Sequence, residues 1–185
     1  MIRRIHILGA SGSGTTTLAQ EISKKFNFKH FDTDDFYWIK TNPPFTQKRE
    51  IEKRISYLSD ALQSADKWVL SGSLCSWGDD FVPFFDLVVY LWIPHEIRMS
   101  RLTAREAQRY GADSIKSGGL MYESHREFME WASNYDSGGI NMRSKQRHES
   151  WLKTMQCKIL KIEGDIELKE KIQQVEKIIL NSQSD

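Results

Sequence analysis

The chain has 185 residues, of which 39% are apolar and 28% charged; this is enough for one packed domain and short for two, and it excludes disorder. A formal net charge of +1 excludes a global field that gathers nucleic acid or an anionic membrane, so any anion site must be a local cluster of charge. No stretch approaches the roughly 20 apolar residues of a membrane span, and Met1 to Ala10 runs from a brief apolar stretch straight into glycines, which fits no signal peptide. Cys75 and Cys157 stand apart without metal-ligand spacing, as buried thiols of a reducing compartment do, and the expected location is cytoplasmic.

The predicted elements alternate strand and helix. Ile5 to Leu8 is a short apolar run ending at Gly9, and Thr16 to Phe26 carries Leu18, Ala19, Ile22 and Phe26 at helical spacing. Phe28 to Phe31 reads as a second strand, closed by the acidic run Asp32 to Asp35. Asn42-Pro43-Pro44 breaks the chain before a helix near Lys48 to Ser64, with Ile51, Ile55, Leu58 and Leu62 on one stripe. Trp68 to Leu70 and Leu87 to Ile93 are the third and fourth strands. Lys158 to Ile162 is the fifth, followed by a last helix through about Leu180. Strands separated by helices imply parallel βαβ units. The expectation is an α/β fold of three layers, a single domain over 1–185 with a parallel sheet of about five strands. Residues 95–155 contain no convincing strand and read as a helical lid insertion, with Ser117-Gly118-Gly119 and Ser137-Gly138-Gly139 as hinges.

The glycine-rich segment Gly9-Ala10-Ser11-Gly12-Ser13-Gly14-Thr15-Thr16-Thr17 joins the first strand to the first helix. Such a turn aims backbone N–H groups at one point, and the helix N-terminus adds partial positive charge, so a phosphate fits there. Gly9, Gly14 and Thr16 match the Walker A pattern Gly-x-x-x-x-Gly-Lys-Ser/Thr, but Thr15 stands where the lysine belongs. Losing a charge-assisted hydrogen bond costs on the order of 1.5–3 kcal/mol unless another cation takes over. Thr16 still offers its hydroxyl to Mg²⁺. The alternative is an ordinary glycine-rich turn capped by serine and threonine.

Asp32 and Asp34 alternate at the carboxyl end of a strand and so point to one side, at the end of an open α/β sheet where ligands bind. A solvated turn with an aspartate cap is the competing reading. The third strand ends in Ser71-Gly72-Ser73 without a carboxylate, which makes that pair more necessary; Gly72 either lets an acceptor approach the backbone or only forms a turn. Arg98, Arg101, Arg105 and Arg109 follow one another at three, four and four residues on a predicted helix. Like charges at that spacing repel, which makes sense if a polyanion arrives between them; a solvated basic face is the alternative. Arg143 and Arg147 lie one turn apart on a helix running to about Met155.

Together these features resemble the nucleoside-monophosphate kinase branch of P-loop proteins, adenylate-kinase-like with touches of shikimate and gluconate kinases. The resemblance extends over nearly the whole chain, with Thr15 as its departure. It implies transfer of the terminal phosphoryl group of ATP or GTP, with Mg²⁺, to a small acceptor such as a nucleoside monophosphate. It implies that the loop from Gly9 to Thr17 holds the nucleotide, that Thr16 and Asp34 hold the metal, and that Asp32, Asp34 and Gly72 meet the acceptor. Arg101, Arg105, Arg143 and Arg147 would then neutralise the transferring group, with Asp34 the base for a hydroxyl acceptor. Gly164-Asp165 would border the base of the nucleotide. No nucleic-acid or membrane partner is expected. A regulatory module that binds nucleotide but has lost catalysis with its lysine is the chief rival; a nucleic-acid binder and a purely structural domain are the others.

Overall fold

The computed structural model of the protein describes residues 1–182. Its centre is β1 (Arg4–Gly9), and the remaining strands are β2 (Lys29–Asp32), β3 (Trp68–Ser71), β4 (Leu87–Trp92) and β5 (Lys158–Glu163). All pair in parallel in the order β2-β3-β1-β4-β5. The inner strands read as unbroken apolar runs because both of their faces are covered.

Alternation along those strands divides the core in two. Ile5, Ile7, Val69, Leu87, Val89 and Leu91 face one layer, where α1 (Thr15–Phe26) and α8 (Leu168–Asn181) contribute Leu18, Ile22, Val175 and Ile179. Leu8, Leu70, Val88 and Tyr90 face the other, packed by Leu58 and Leu62 of α3 (Ile51–Gln63) and by Trp151 and Leu152 of α7 (Lys145–Leu152). The sheet lies between two helical layers, as the strand and helix alternation predicts.

Two short elements go beyond the sequence reading: α2 (Thr33–Tyr37), where the acidic run is helical, and a 3₁₀ turn over Asp79–Phe84. In α3 the buried series is Arg54, Leu58 and Leu62, while Ile51 is 47% exposed. The expected stripe therefore starts one turn too early. Arg54 takes the inner place because its guanidinium lies 3.9 Å from the centre of the Tyr37 ring and donates to Arg49 O.

Among the described residues, the segment 95–155 holds no strand and carries α4 (His95–Tyr110), α5 (Ala112–Ile115), α6 (Tyr122–Ser133) and α7, joined by turns. It begins and ends in the core, since Arg98 and Leu102 of α4 and Trp151 and Leu152 of α7 are buried. Arg98 is wholly enclosed; its guanidinium donates to Ile93 O, Ala132 O and Asp136 Oδ2, tying α4 to the turn after α6.

Candidate functional site

Most of the sequence features singled out for phosphate chemistry, though not Arg98 or Arg147, line one cleft of about 900 Å³ around the phosphate loop. The loop from Gly9 to Thr17 lines its middle. Gly9 must be glycine because a Cβ there would lie 2.5 Å from Leu91 O, and Gly14 adopts φ 90° to start α1. The first-turn amides of α1 have no intrahelical acceptor, as at every helix start. Ser13 plays a different part from its neighbours. Its amide donates to Ala10 O and its hydroxyl is buried without a partner among the described residues, so it packs the loop from beneath.

On one side of the loop, Asp32 is the hub. Its Oδ2 accepts from Thr16 Oγ1 and from Ser71 Oγ, both at 2.8 Å, and its Oδ1 caps α2 by accepting from the Asp34 amide at 3.0 Å. The carboxylate touching the Thr16 hydroxyl is therefore Asp32, whereas the sequence reading put Asp34 first for the metal. Asp34 is the second residue of α2 and lines the cleft. Loss of water around its carboxyl raises its pKa, Asp32 raises it further, and Arg143, Arg105 and Arg109 oppose the rise. Gly72 lines the cleft too, but its φ of +103° places a hypothetical Cβ 1.9 Å from Thr33 Oγ1. The glycine makes room for the start of α2.

The arginines divide by helix geometry. Arg98, Leu102 and Glu106 form the inner face of α4, while Arg101, Arg105 and Arg109, one residue further round, line the cleft. Arg98 thus leaves the expected stripe. The remaining three are not left to repel one another. Arg101 pairs with Asp165 at 2.9 Å, and Arg105 and Arg109 share Glu106 Oε1 at 3.1 and 3.4 Å. Arg109 also stacks on Phe45, 4.7 Å from the ring centre, and Arg105 on Phe128 at 5.6 Å.

Arg143 and Arg147 part company. Arg143 precedes Ser144, the N-cap of α7, lines the cleft and lies 5.3 Å from the Trp131 ring. Arg147, inside α7, donates to Ile140 O at 2.9 Å and lies outside the cleft lining. The helix that the sequence reading drew through both starts two residues after Arg143, where Ser144 Oγ accepts from the Arg147 amide. Beneath this segment runs a buried chain from Ser73 Oγ to His148 Nε2 (3.1 Å), from His148 Nδ1 to Tyr135 OH (2.8 Å) and on to Tyr90 OH (2.9 Å). Burial holds His148 neutral by lowering its pKa to about 3.

At the far end, beyond β5, the cleft is lined by Asp165 to Leu168 and by Lys171. Lys171 was missed in the sequence because Glu-Leu-Lys-Glu-Lys reads as a solvated face. The available signal was its place four and eight residues before Val175 and Ile179, on the buried stripe of α8.

The donors fit a magnesium nucleotide. Among the described residues no cluster of three or more His, Cys, Asp or Glu forms a metal cage. Mg²⁺ binds through one or two carboxylates together with substrate phosphates and water, and the adjacent Thr16 hydroxyl and Asp32 carboxylate offer such hard oxygens. No helix among these residues is long and apolar enough to cross a membrane, and both cysteines are free.

The family model described as AAA domain matches residues 5–130. The uncharacterized protein YqaC of Bacillus subtilis (strain 168) is 47% identical over 175 residues, covering 95% of this chain and 96% of its own. The cytidylate kinase of Methanocorpusculum labreanum is 31% identical over 114 residues, which span 56% of this chain and 63% of that one. Among solved structures, a shikimate kinase from Acinetobacter baumannii, in complex with shikimate, superposes with a TM-score of 0.58 at 15% identity, covering 98% of this chain and 95% of that one. Shikimate kinase from Aquifex aeolicus gives 0.53 at 16% identity, covering 97% of each chain. At such identities the likeness is one of fold.

Proposed function

This chain belongs to the AAA-domain family of P-loop proteins, and on that premise we propose that it is a phosphotransferase. It moves the terminal phosphoryl group of a nucleoside triphosphate to a small acceptor, a nucleoside monophosphate being the first class to try. The observation that carries the reading is the convergence of four arginines, Arg101, Arg105, Arg109 and Arg143, on the cleft that contains the phosphate loop. A helix N-terminus and a row of guanidinium groups facing one cleft are the means by which proteins hold and neutralise transferring phosphoryl groups.

The loop amides and the start of α1 hold the donor phosphates. The Thr16 hydroxyl, with Asp32 beside it, would hold Mg²⁺, which would offset negative charge on the donor phosphates. The acceptor lies on the Asp34 side. Its oxygen forms a bond to the terminal phosphorus as the bond to the bridging oxygen breaks, and the nucleoside diphosphate leaves with that electron pair. A phosphate acceptor needs no base. A hydroxyl acceptor gives its proton to Asp34, whose raised pKa suits a base. Arg143 supplies positive charge near Asp34 in place of the lysine absent at Thr15. The reading also keeps the protein, with its two free thiols, in the cytoplasm.

Thr15 supports one rival, a regulatory module that binds nucleotide without turning it over. Calorimetric titration with ATP and GTP, with and without Mg²⁺, followed by an acceptor screen, decides between them. Metal-dependent binding with turnover of an acceptor is the expected result. Binding without product from any acceptor favours the module, and no binding at millimolar nucleotide ends both readings.

A further inference from the structure

Lys171 is only 6% exposed, its stem packed on the buried stripe of α8 while its ammonium opens to the cleft. Its side chain lines the cleft, yet no carboxylate or carbonyl among the described residues takes its ammonium. The charged groups acting on it are Arg101 and Asp165, and these are joined to each other at 2.9 Å. Glu167, one turn earlier on the same helix, is exposed and makes no ion pair with it. Burial and Arg101 lower the pKa of Lys171, and Asp165 opposes them, as expected of an amine whose charge is not yet compensated.

Its place along the cleft narrows what it meets. The sheet order β2-β3-β1-β4-β5 sets Asp32 and Asp34, beyond β2, and Lys171, beyond β5, on opposite sides of the phosphate loop. With phosphates in the loop and the acceptor on the β2 side, the β5 side receives the rest of the donor nucleotide. Ile166 and Leu168 line this end and offer apolar faces for a flat ring.

We propose that Lys171 selects the base of the donor nucleotide by donating to a keto oxygen, so that the protein prefers GTP to ATP. An ammonium donates hydrogen bonds and accepts none. Guanine carries a keto oxygen at the ring position where adenine carries an amino group, so a donor held at that edge favours guanine and leaves adenine's amino group facing another donor. The inference rests on the phosphotransferase reading for the position of the nucleotide.

The test is titration of the wild type and of Lys171→Met with the magnesium complexes of GTP, ITP and ATP. Hypoxanthine, the base of ITP, shares guanine's keto oxygen and lacks its 2-amino group. The wild type should bind GTP and ITP about tenfold more tightly than ATP, and Lys171→Met, which keeps the apolar stem, should bring both down to the level of ATP. Equal or tighter binding of ATP by the wild type overturns the inference without any variant. ITP behaving like ATP also overturns it, because the 2-amino group is then what is read. So does an equal loss for all three nucleotides in Lys171→Met, which would assign the amine to the phosphates or to the fold. Binding without base preference leaves the phosphotransferase reading standing, whereas binding of none of the three removes both.

Discussion

Thr16 Oγ1 donates to Asp32 Oδ2 at 2.8 Å, joining the first turn of α1 to the end of β2 across the edge of the phosphate loop. The same carboxylate oxygen also accepts from Ser71 Oγ, so three elements converge on one acceptor. On the proposed function, that geometry makes Asp32 the candidate to support a magnesium ion and leaves Asp34 as the candidate to meet the acceptor.

The first prediction separates the two aspartates. Asp32→Asn should raise the Mg²⁺ concentration needed for half-maximal turnover by about 10- to 100-fold, the usual effect of losing a group that supports a metal. Asp34→Asn should leave the metal requirement alone and raise KM for the acceptor, or lower kcat if the acceptor is an alcohol. Metal titrations of steady-state turnover distinguish them, and a shifted Mg²⁺ requirement in Asp34→Asn instead would restore the order expected from the sequence.

The second concerns the arginines around α7. Arg143→Ala should lower kcat on the order of 10²-fold with little change in nucleotide affinity, because charge placed against a developing transition state acts on turnover. Arg147→Ala, whose guanidinium holds Ile140 O outside the cleft, should change kcat by less than about threefold. Parallel kinetics and nucleotide titrations check both, and similar losses in the two variants would contradict the division.

The third is a dependence of stability on pH. His148 and His6 are both enclosed and both have pKa values lowered by burial to about 3. In the unfolded chain each takes up a proton as pH falls below the ordinary histidine value of 6.5, while in the folded protein each stays neutral down to about 3. The unfolded state therefore binds more protons between those limits. Stability should fall on acidification through that window, by about 1.4 kcal/mol per pH unit for each histidine, and should be fully present above it. Denaturant unfolding followed from pH 7 to pH 4 should show this slope, and His148→Gln should reduce it while leaving the remainder due to His6. An unchanged slope in the variant would mean that His148 is protonated in the fold.

Local chemistry is what the sequence by itself determined. The order of strands and helices, the parallel sheet and the phosphate loop follow from patterns only a few residues long. Apolar runs of β1, β3 and β4 stop at glycine, serine or proline, and Gly9 to Thr17 carries its own turn and helix start. Such features need neighbours within one or two turns, so they are legible before any tertiary contact exists. Arg101, Arg105 and Arg143 were legible only as closely spaced charges on predicted helices, given a phosphate role by the family resemblance rather than by any local contact with that loop.

Tertiary structure alone decided which member of each group meets the cleft. Arg98 shares the spacing of its neighbours, yet one residue of helical rotation buries it against Asp136. Arg143 and Arg147 are four residues apart, yet Ser144 starts the helix between them. Asp32 and Asp34 both line the cleft, but only Asp32 receives the hydroxyls of Thr16 and Ser71, 16 and 39 residues away. Lys171 looks like one more solvated charge until α8 packs against α1 and turns it onto the buried stripe beside the cleft. In each case the deciding quantity is a direction or an enclosure fixed by segments distant in the chain, and that information does not exist until the layers have closed on one another.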